Sequence, residues 1–493
     1  MPILKLWQNE HCREIPFTGT PALAALLRQQ EITAAHPCGG RGVCGKCAVR
    51  AAGAVSPVTP TEEKAGTRLS CQITLLGDAE IWLQQDSITV ETAGNNPAAG
   101  IAMAGRFGAA VDIGTTTVAL KLYDLQTGTL LAAEGAMNPQ RSIAADVMGR
   151  IGAAMGGHGP MMQDMVAKVI RVLLTNACTK ADISISQIDA LVVTGNTTML
   201  YLLTGRDPAC LAAAPFQADC LFDRMDTLLG IPVYYPPCMN AFVGADITCA
   251  VLDSGIHRKA ETALLCDIGT NGELALWKDG RLYVASTAAG PAFEGAGISC
   301  GCGSIPGAID RVWTENGTFR IHTIGNKPPV GLCGSGLLDA IAVFLETGAI
   351  DETGAMEADF LPLAENVCLL PGDVRAVQLA KGAIAAGIRT VLELADVREE
   401  DVTTLYIAGG FGSHLEPASA AAIGLIPAGL ADRVKIPGNS ALSGAAGLLL
   451  DREGIPGARK LAKEAISVTL SGNSRFNRHF MNAMLFGDDD LFA

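Results

Sequence analysis

At 493 residues the chain exceeds what one hydrophobic core supports and predicts about three domain-sized units. With 49% hydrophobic and 17% charged residues it reads as globular rather than disordered, and a net charge of −14 argues against nucleic acid or an anionic membrane as main partner. No apolar run approaches about 18 residues and Met1-Pro-Ile-Leu-Lys lacks a signal-peptide pattern, so the expected location is the cytoplasm and the fifteen cysteines are expected as thiols or metal ligands.

In chain order, Pro2 to Phe17 alternates weakly like a hairpin, and Thr20-Pro21 opens a short helix through Leu27. Next comes Cys38-Gly-Gly-Arg-Gly-Val-Cys44-Gly-Lys-Cys47, with Cys71 a further 23 intervening residues on. A zinc ribbon needs two C-x2-C knuckles and only one is present. Three cysteines in a Gly-rich loop plus a distant fourth is instead the [2Fe–2S] ferredoxin arrangement, with Cys38, Cys44, Cys47 and Cys71 as ligands. The first spacing is one residue longer than the plant type and closer to adrenodoxin-like ferredoxins; a zinc site or unligated thiols are the alternatives. His36 beside the loop is not needed as a ligand. Gly40-Arg-Gly42-Val-Cys-Gly45 spells a dinucleotide fingerprint, but it follows no strand, opens no helix and is interleaved with ligands. Residues 1–90 carry eight basic and eight acidic side chains, so the acidity lies further on; Arg41, Lys46 and Arg68 read as solvated surface rather than a docking patch.

Residues 91–107, rich in Ala, Gly and Asn and without periodicity, read as a flexible linker spanning roughly 20–25 Å. Beyond it, Ala109 to Asp124 is strand, tight Gly/Thr turn, strand, around Asp112-Ile-Gly114-Thr115-Thr116-Thr117. Cys266-Asp267-Ile-Gly269-Thr270-Asn271-Gly272 repeats that signature 155 residues later. Such turns aim N–H groups and hydroxyls at phosphate oxygens, and an aspartate at the strand end can hold hydrated Mg²⁺ beside them. Two facing turns would clamp a nucleotide polyphosphate.

Ile188 to Thr194 reads as a buried strand leading through Gly195-Asn-Thr-Thr into a helix, and Ile231 to Tyr235 as a short strand before Asp246. Arg281 to Thr287 is a strand leading towards Glu294, a nucleotide contact or a turn cap. Gly334-Ser335-Gly336 opens an apolar helix to Leu345, and Val374 to Leu394 is a long helix. Leu405 to Gly412 is a strand ending in Gly409-Gly410-Phe411-Gly412, which permits close approach of a base or ribose. Asn439 to Leu450 reads as a helix with small residues suited to tight interdomain packing. Cys300-Gly-Cys302, Cys266 and Cys333 read as small packing thiols rather than a second metal site. No P-loop motif occurs.

These motifs resemble the phosphate-1, phosphate-2 and adenosine motifs of the ASKHA superfamily of kinases, chaperones and actin. More closely, Asn138-Pro-Gln, Thr194-Gly-Asn-Thr-Thr, Asp267-Ile-Gly-Thr-Asn-Gly-Glu, Ser286 to Ala296 and Gly331-Leu-Cys-Gly-Ser-Gly resemble the reductive activators of corrinoid-dependent enzymes, and Ile407-Ala-Gly-Gly-Phe-Gly continues the likeness. The resemblance covers nearly the whole chain, with one departure: longer members carry an extra middle domain between linker and ATPase for which no room is expected here, so any partner contact or homodimer formed there is open. It implies an α+β ferredoxin-like β-grasp domain (1–90), a linker, and an α/β two-lobed, ribonuclease-H-like and actin-like ATPase of lobes 108–255 and 256–493. It further implies ATP-coupled reduction of a Co(II) corrinoid protein to Co(I) for a methyltransferase system, fed by a low-potential electron donor.

Within that scheme Asp112 and Asp267 hold Mg²⁺, and Asp246 is the candidate for orienting water, a helix N-terminal carboxylate being the other reading. Gly114, Thr115, Thr116 and Thr117 with Gly269, Thr270, Asn271 and Gly272 line the phosphates. Gly334, Ser335, Gly336, Gly409, Gly410, Phe411 and Gly412 complete the nucleotide site. A 2-hydroxyacyl-CoA dehydratase activator, a small-molecule kinase and a non-hydrolysing redox adaptor are the competing functions.

Overall fold

The computed structural model describes the chain except residues 9–10, 31, 33–46, 66, 84–89, 98–99, 316, 411–413 and 488–493. In the first unit, Ile3–Gln8 (β1) and His11–Pro16 (β2) form the expected hairpin. Alternation turns Leu4 and Leu6 inward, where Leu23, Leu26 and Leu27 of helix Leu23–Gln29 (α1) cover them. Ala48–Val55 (β3), the short helix Pro60–Ala65 (α2), Arg68–Leu69 (β4) and Leu75–Leu83 (β5) complete a sheet ordered β2-β1-β5-β3-β4, with β1 and β5 parallel at its centre.

The next unit is built on Phe107–Ile113 (β6), Thr117–Asp124 (β7) and Leu130–Met137 (β8), an antiparallel meander. Helices Val147–Ala153 (α3) and Gly159–Lys180 (α4) lead to Ile188–Gly195 (β9), parallel to β6. Helix Thr197–Leu203 (α5), strands Arg224–Leu228 (β10) and Ile231–Tyr235 (β11) and helix Ala245–Ser254 (α6) follow, giving the order β10-β11-β9-β6-β7-β8. The inner strands are apolar on both faces, as parallel strands covered on each side must be. Ala109, Val111 and Ile113 pack towards Val166, Ile170 and Leu174 of α4, and Ala110 points the other way.

The third unit repeats the plan. Ala263–Ile268 (β12), Gly272–Lys278 (β13) and Arg281–Thr287 (β14) form the meander. A side sheet of Ala308–Glu315 (β15), Thr318–Thr323 (β16) and Gly331–Leu332 (β17) precedes helix Gly334–Glu346 (α7). The hairpin Leu361–Ala364 (β18) and Val367–Leu369 (β19) leads into Pro371–Leu394 (α8). Thr404–Ala408 (β20) then lies parallel to β12, followed by Pro417–Ala422 (α9) and Val434–Lys435 (β21). Ser440–Leu450 (α10), Ile455–Glu464 (α11), Ile466–Ser467 (β22) and Ser474–Asn482 (α12) end the described chain. The sheet order β21-β20-β12-β13-β14-β22 matches β11-β9-β6-β7-β8 strand for strand before its extra edge.

The two halves exchange helices. Ile247, Ala250 and Val251 of α6 pack on Ala263 and Leu265 of the later sheet, while Leu442, Ala445, Ala446 and Leu449 of α10 pack on Ala110 and Ala119 of the earlier one. The two helices meet where a Cβ on Gly444 would lie 1.9 Å from the Cys249 carbonyl oxygen, so only glycine fits. This is the small-residue contact the sequence predicts.

The stretch 91–107 differs from the expected flexible linker. The amides of Gly100 and Met103 donate to the Leu450 and Leu449 carbonyls, Asn439 N donates to Ala93 O at 3.0 Å, and Arg106 N donates to Asp189 Oδ2 at 2.7 Å. Composition suggested freedom, but the glycines serve close approach: a Cβ on Gly94 would lie 2.5 Å from Ser443 Oγ. The segment is a strap laid along α10. Among the described residues no helix is long and apolar enough to cross a membrane.

Candidate functional site

A cleft of about 2050 Å³ opens between the two halves. Asp112 ends β6 and Asp267 stands near the end of β12, so the repeated strand–turn–strand unit brings both to one place. Asp246, in the first turn of α6, and Glu273, at the start of β13, join them. The surrounding protein strips solvation from these acids and each repels the next. Burial pushes Asp112 up to about 6; burial and then Asp112 push Asp267 up to about 7. Burial, then Asp267 and Asp112, push Asp246 up to about 8, and Glu273 is raised by burial and by Asp246. Asp246 Oδ1 accepts from Ile247 N at 2.9 Å, and Asp112 Oδ2 accepts from Asn439 Nδ2 at 3.1 Å.

The first turn, Gly114 to Thr117, is braced from behind. Asn138 Nδ2 donates to Gly114 O at 2.8 Å and Asn196 Nδ2 to Thr115 Oγ1 at 3.2 Å. Arg150, fully buried on α3, donates to Thr115 O, to Ala144 O and to Gln140 Oε1. Burial brings its guanidinium down to about 9. Glu294 joins the two turns: one carboxylate oxygen accepts from Thr270 Oγ1 at 2.8 Å, the other from Thr116 Oγ1. Of the two sequence readings of Glu294, this position favours a cleft role over a simple turn cap.

Gly269, Thr270, Asn271, Gly334, Ser335, Gly409 and Gly410 also line the cleft. Two expected site residues do not. Gly272 packs against Ile384 and Thr287, and Gly336 sits where a Cβ would strike Ile309 O at 2.2 Å; both are glycines for packing. Gly409 combines φ +92° with no space for a Cβ, which would lie 2.6 Å from Asp267 Oδ1. Its glycine therefore lets Asp267 approach β20, besides any contact to a base. Phe411 and Gly412 lie outside the described residues.

In the first unit, the thiols of Cys47 and Cys71 stand 3.2 Å apart, while Cys38 and Cys44 lie outside the described residues. Burial raises the Cys47 thiol to about 12, an environment that needs a counterion before a thiolate is stable there. Buried Glu62 accepts from Arg68 Nε, Leu69 N and Thr59 N, fixing the backbone just before Cys71. Arg68 is therefore a structural tie rather than free surface charge. Ala24, Ala25 and Leu27 of α1 line the same cleft as the phosphate turns.

Asn138, Arg150, Asn196, Glu273 and Asn439 were not singled out individually from the sequence. Four of them fall inside or beside motifs quoted for their shape, but Arg150 carries no local signal at all.

The fold and site define a class: a cluster-binding domain in front of a two-lobed, ASKHA-type nucleotide-binding unit. Comparison with known proteins agrees. A family described as the 2Fe-2S iron-sulfur cluster binding domain matches residues 9–76, the RACo middle region matches 107–259, and the C-terminal domain of RACo, the ASKHA domain, matches 261–492. Corrinoid activation enzyme RamQ of Eubacterium limosum is 34% identical over 423 residues, 78% of this chain and 71% of that one. The [Co(II) methylated amine-specific corrinoid protein] reductase of Methanosarcina barkeri is 26% identical over 417 residues, 76% of each. A solved reductive activator for corrinoid, iron-sulfur protein superposes with a TM-score of 0.72 at 26% identity, covering 100% of this chain and 99% of that one. The chain belongs to the family of reductive activators of corrinoid proteins. One expectation is overturned: a middle region is present, at 107–259, where the phosphate-turn signature led the sequence reading to see only an ATPase lobe.

Proposed function

We propose that this protein reduces the Co(II) of a corrinoid protein to Co(I) at the expense of ATP, passing single electrons from a low-potential donor through a [2Fe–2S] cluster on Cys38, Cys44, Cys47 and Cys71. The observation that carries this reading is the shared cleft, lined both by the ferredoxin domain's α1 and by the two strand–turn–strand turns. The relatives named for corrinoid activation and Co(II) corrinoid reduction support the substrate class. Coupling has a physical reason: a potential gap of roughly 120 mV for one electron is about a hundredfold unfavourable, near 2.7 kcal/mol. A nucleotide-driven change in partner affinity of a few kcal/mol offsets it.

When bound, the cluster supplies a one-electron couple and Mg²⁺ supplies countercharge to phosphate. The residues fit both groups. Four acids pushed up by burial, and all but Asp112 further by a neighbouring carboxylate, are a donor set that a cation would relieve. Asp112 and Asp267 would hold the ion, one from each half. Thr115, Thr116 and Thr270 orient phosphate oxygens by their hydroxyls, and Gly409, Gly410 and the following turn receive the adenosine. Asp246, raised to about 8 while the cleft holds no cation, would orient the attacking water and take its proton only with a cation bound beside it to favour the carboxylate.

The test uses Asp267→Ala in the full chain. Phosphate release should be abolished while the visible spectrum of the cluster is unchanged, and Co(I) absorbance should fall to the level seen without Mg-ATP. Equal Co(I) formation by the parent with and without Mg-ATP would overturn the coupling, and near-parental hydrolysis by Asp267→Ala would overturn the site.

A further inference from the structure

We infer that Asn439 is a positioning residue that couples the nucleotide site to the strap leading back to the ferredoxin domain. The inference rests on the proposed role of Asp112 and extends it along the strap that begins at the cleft wall with Glu91.

A carboxamide has two N–H donors and one acceptor oxygen. All three are committed here. Oδ1 accepts from Leu442 N at 2.8 Å, capping α10; Nδ2 donates to Asp112 Oδ2 at 3.1 Å and to the Glu91 carbonyl oxygen at 3.3 Å. The Asn439 main-chain amide adds a bond to Ala93 O at 3.0 Å. One residue thus grips the strap at two points and the nucleotide-site aspartate at a third.

The same stretch of strap is seated by groups that do not touch Asp112. Lys121, whose side chain is buried beneath it, reaches Asn95 O and Ser443 Oγ, each at 3.4 Å, and Asn95 Nδ2 donates to Asp253. Gly94 passes α10 with no room for a methyl group. The strap is therefore closely fitted, yet two of its bonds run through a residue whose third contact is the proposed cation-holding carboxylate.

Charge sets the direction of coupling. A hydrated divalent cation competes for the Asp112 oxygens far more strongly than a neutral amide does. Drawing Oδ2 towards the cation leaves Nδ2 without its anionic partner, and the side chain gives up the geometry that reaches Glu91 O. Mg-nucleotide therefore loosens residues 91–95, and nucleotide loss lets them reseat. The ferredoxin domain is on the far end of that strap, so the state of the cleft is transmitted to it by a displacement at Asn439.

Hydrogen exchange of residues 91–97 in the cluster-loaded full chain tests this, with and without Mg²⁺ and a non-hydrolysable ATP analogue. Binding of the analogue is followed in parallel by a fluorescent nucleotide. Parental protein should exchange several-fold faster in this segment once the analogue is bound. Asn439→Ser keeps a cap for α10 but cannot bridge Glu91 and Asp112, so exchange should be fast and the same in both conditions. Gly94→Ala, which does not line the cleft and touches no phosphate-turn residue, should also exchange fast throughout while hydrolysing ATP at the parental rate. Analogue binding with equal or slower strap exchange in the parent overturns the coupling and leaves the ATPase reading standing. A retained response in Asn439→Ser also overturns it, and failure of the parent to bind the analogue overturns both readings.

Discussion

The crowded carboxyls make the cation-free protein's stability depend on pH in a range where most proteins are flat. An unfolded aspartate ionises near 4, whereas Asp112, Asp267 and Asp246 are held at about 6, 7 and 8. Between those limits the folded state binds more protons than the unfolded one, so stability is full below about pH 4 and falls as pH rises through the folded values. From pH 6 to 8, Asp246 keeps its extra proton for about two units and Asp267 for about one; at about 1.4 kcal/mol per unit this is a loss of roughly 4 kcal/mol. Glu273 is raised too and adds to the same slope. For units of this size the melting midpoint should drop by about 8–16 °C. Calorimetry at pH 6, 7 and 8 after chelation measures it, and saturating Mg-ATP should remove most of the slope. Asp246→Asn keeps an acceptor for Ile247 N, and its cation-free form should melt higher than the parent at pH 8. A flat midpoint from pH 6 to 8, or a lower midpoint for Asp246→Asn at pH 8, would refute the mutual repulsion on which the cation site is argued.

Two further outcomes are expected. Arg150→Met leaves the acceptors at Thr115, Ala144 and Gln140 without their donor, at about 1–3 kcal/mol for each group left unsatisfied, partly offset by removing a buried charge. Mg-ATP affinity by calorimetric titration should fall at least about tenfold with the cluster spectrum intact, and parental affinity would show that the first turn does not depend on this brace. Gly444→Ala places a methyl 1.9 Å from Cys249 O, an overpacking that costs about 1–3 kcal/mol or more; a lowered midpoint and impaired ATP turnover are expected, and parental melting would contradict the close α6–α10 crossing.

Legibility in the sequence followed the range of the forces involved. The strand–turn–strand repeat is local, with alternating apolar residues and a turn within about a dozen positions, and β6–β7 and β12–β13 appear where those patterns lie. Helix α8 is found three residues earlier than its apolar spacing suggests because Pro371 supplies the first turn. The strap was misread because its glycines look like freedom until α10, some 340 residues away, is brought beside them. Asn439 lay at the head of a stretch read as a helix for tight interdomain packing, and nothing local reveals that its side-chain N–H meets Asp112. Arg150 was invisible for the same reason: its meaning is in carbonyls of Thr115 and Ala144 that only the fold presents. Gly272 and Gly336 show the converse error, motif glycines assigned to a ligand when backbone crowding accounts for them.

The exchange of α6 and α10 between the halves also bears on how the cleft moves. Asp112 belongs to one half and Asp267 to the other, and Asp112 raises Asp267's cost of ionisation, so without a cation their repulsion acts as a compressed spring across the gap. Glu294, reaching from the second half to Thr116 of the first, is a catch set against that spring. Because each half carries the other's helix, the spring works against a joint held closed where Gly444 rests on Cys249.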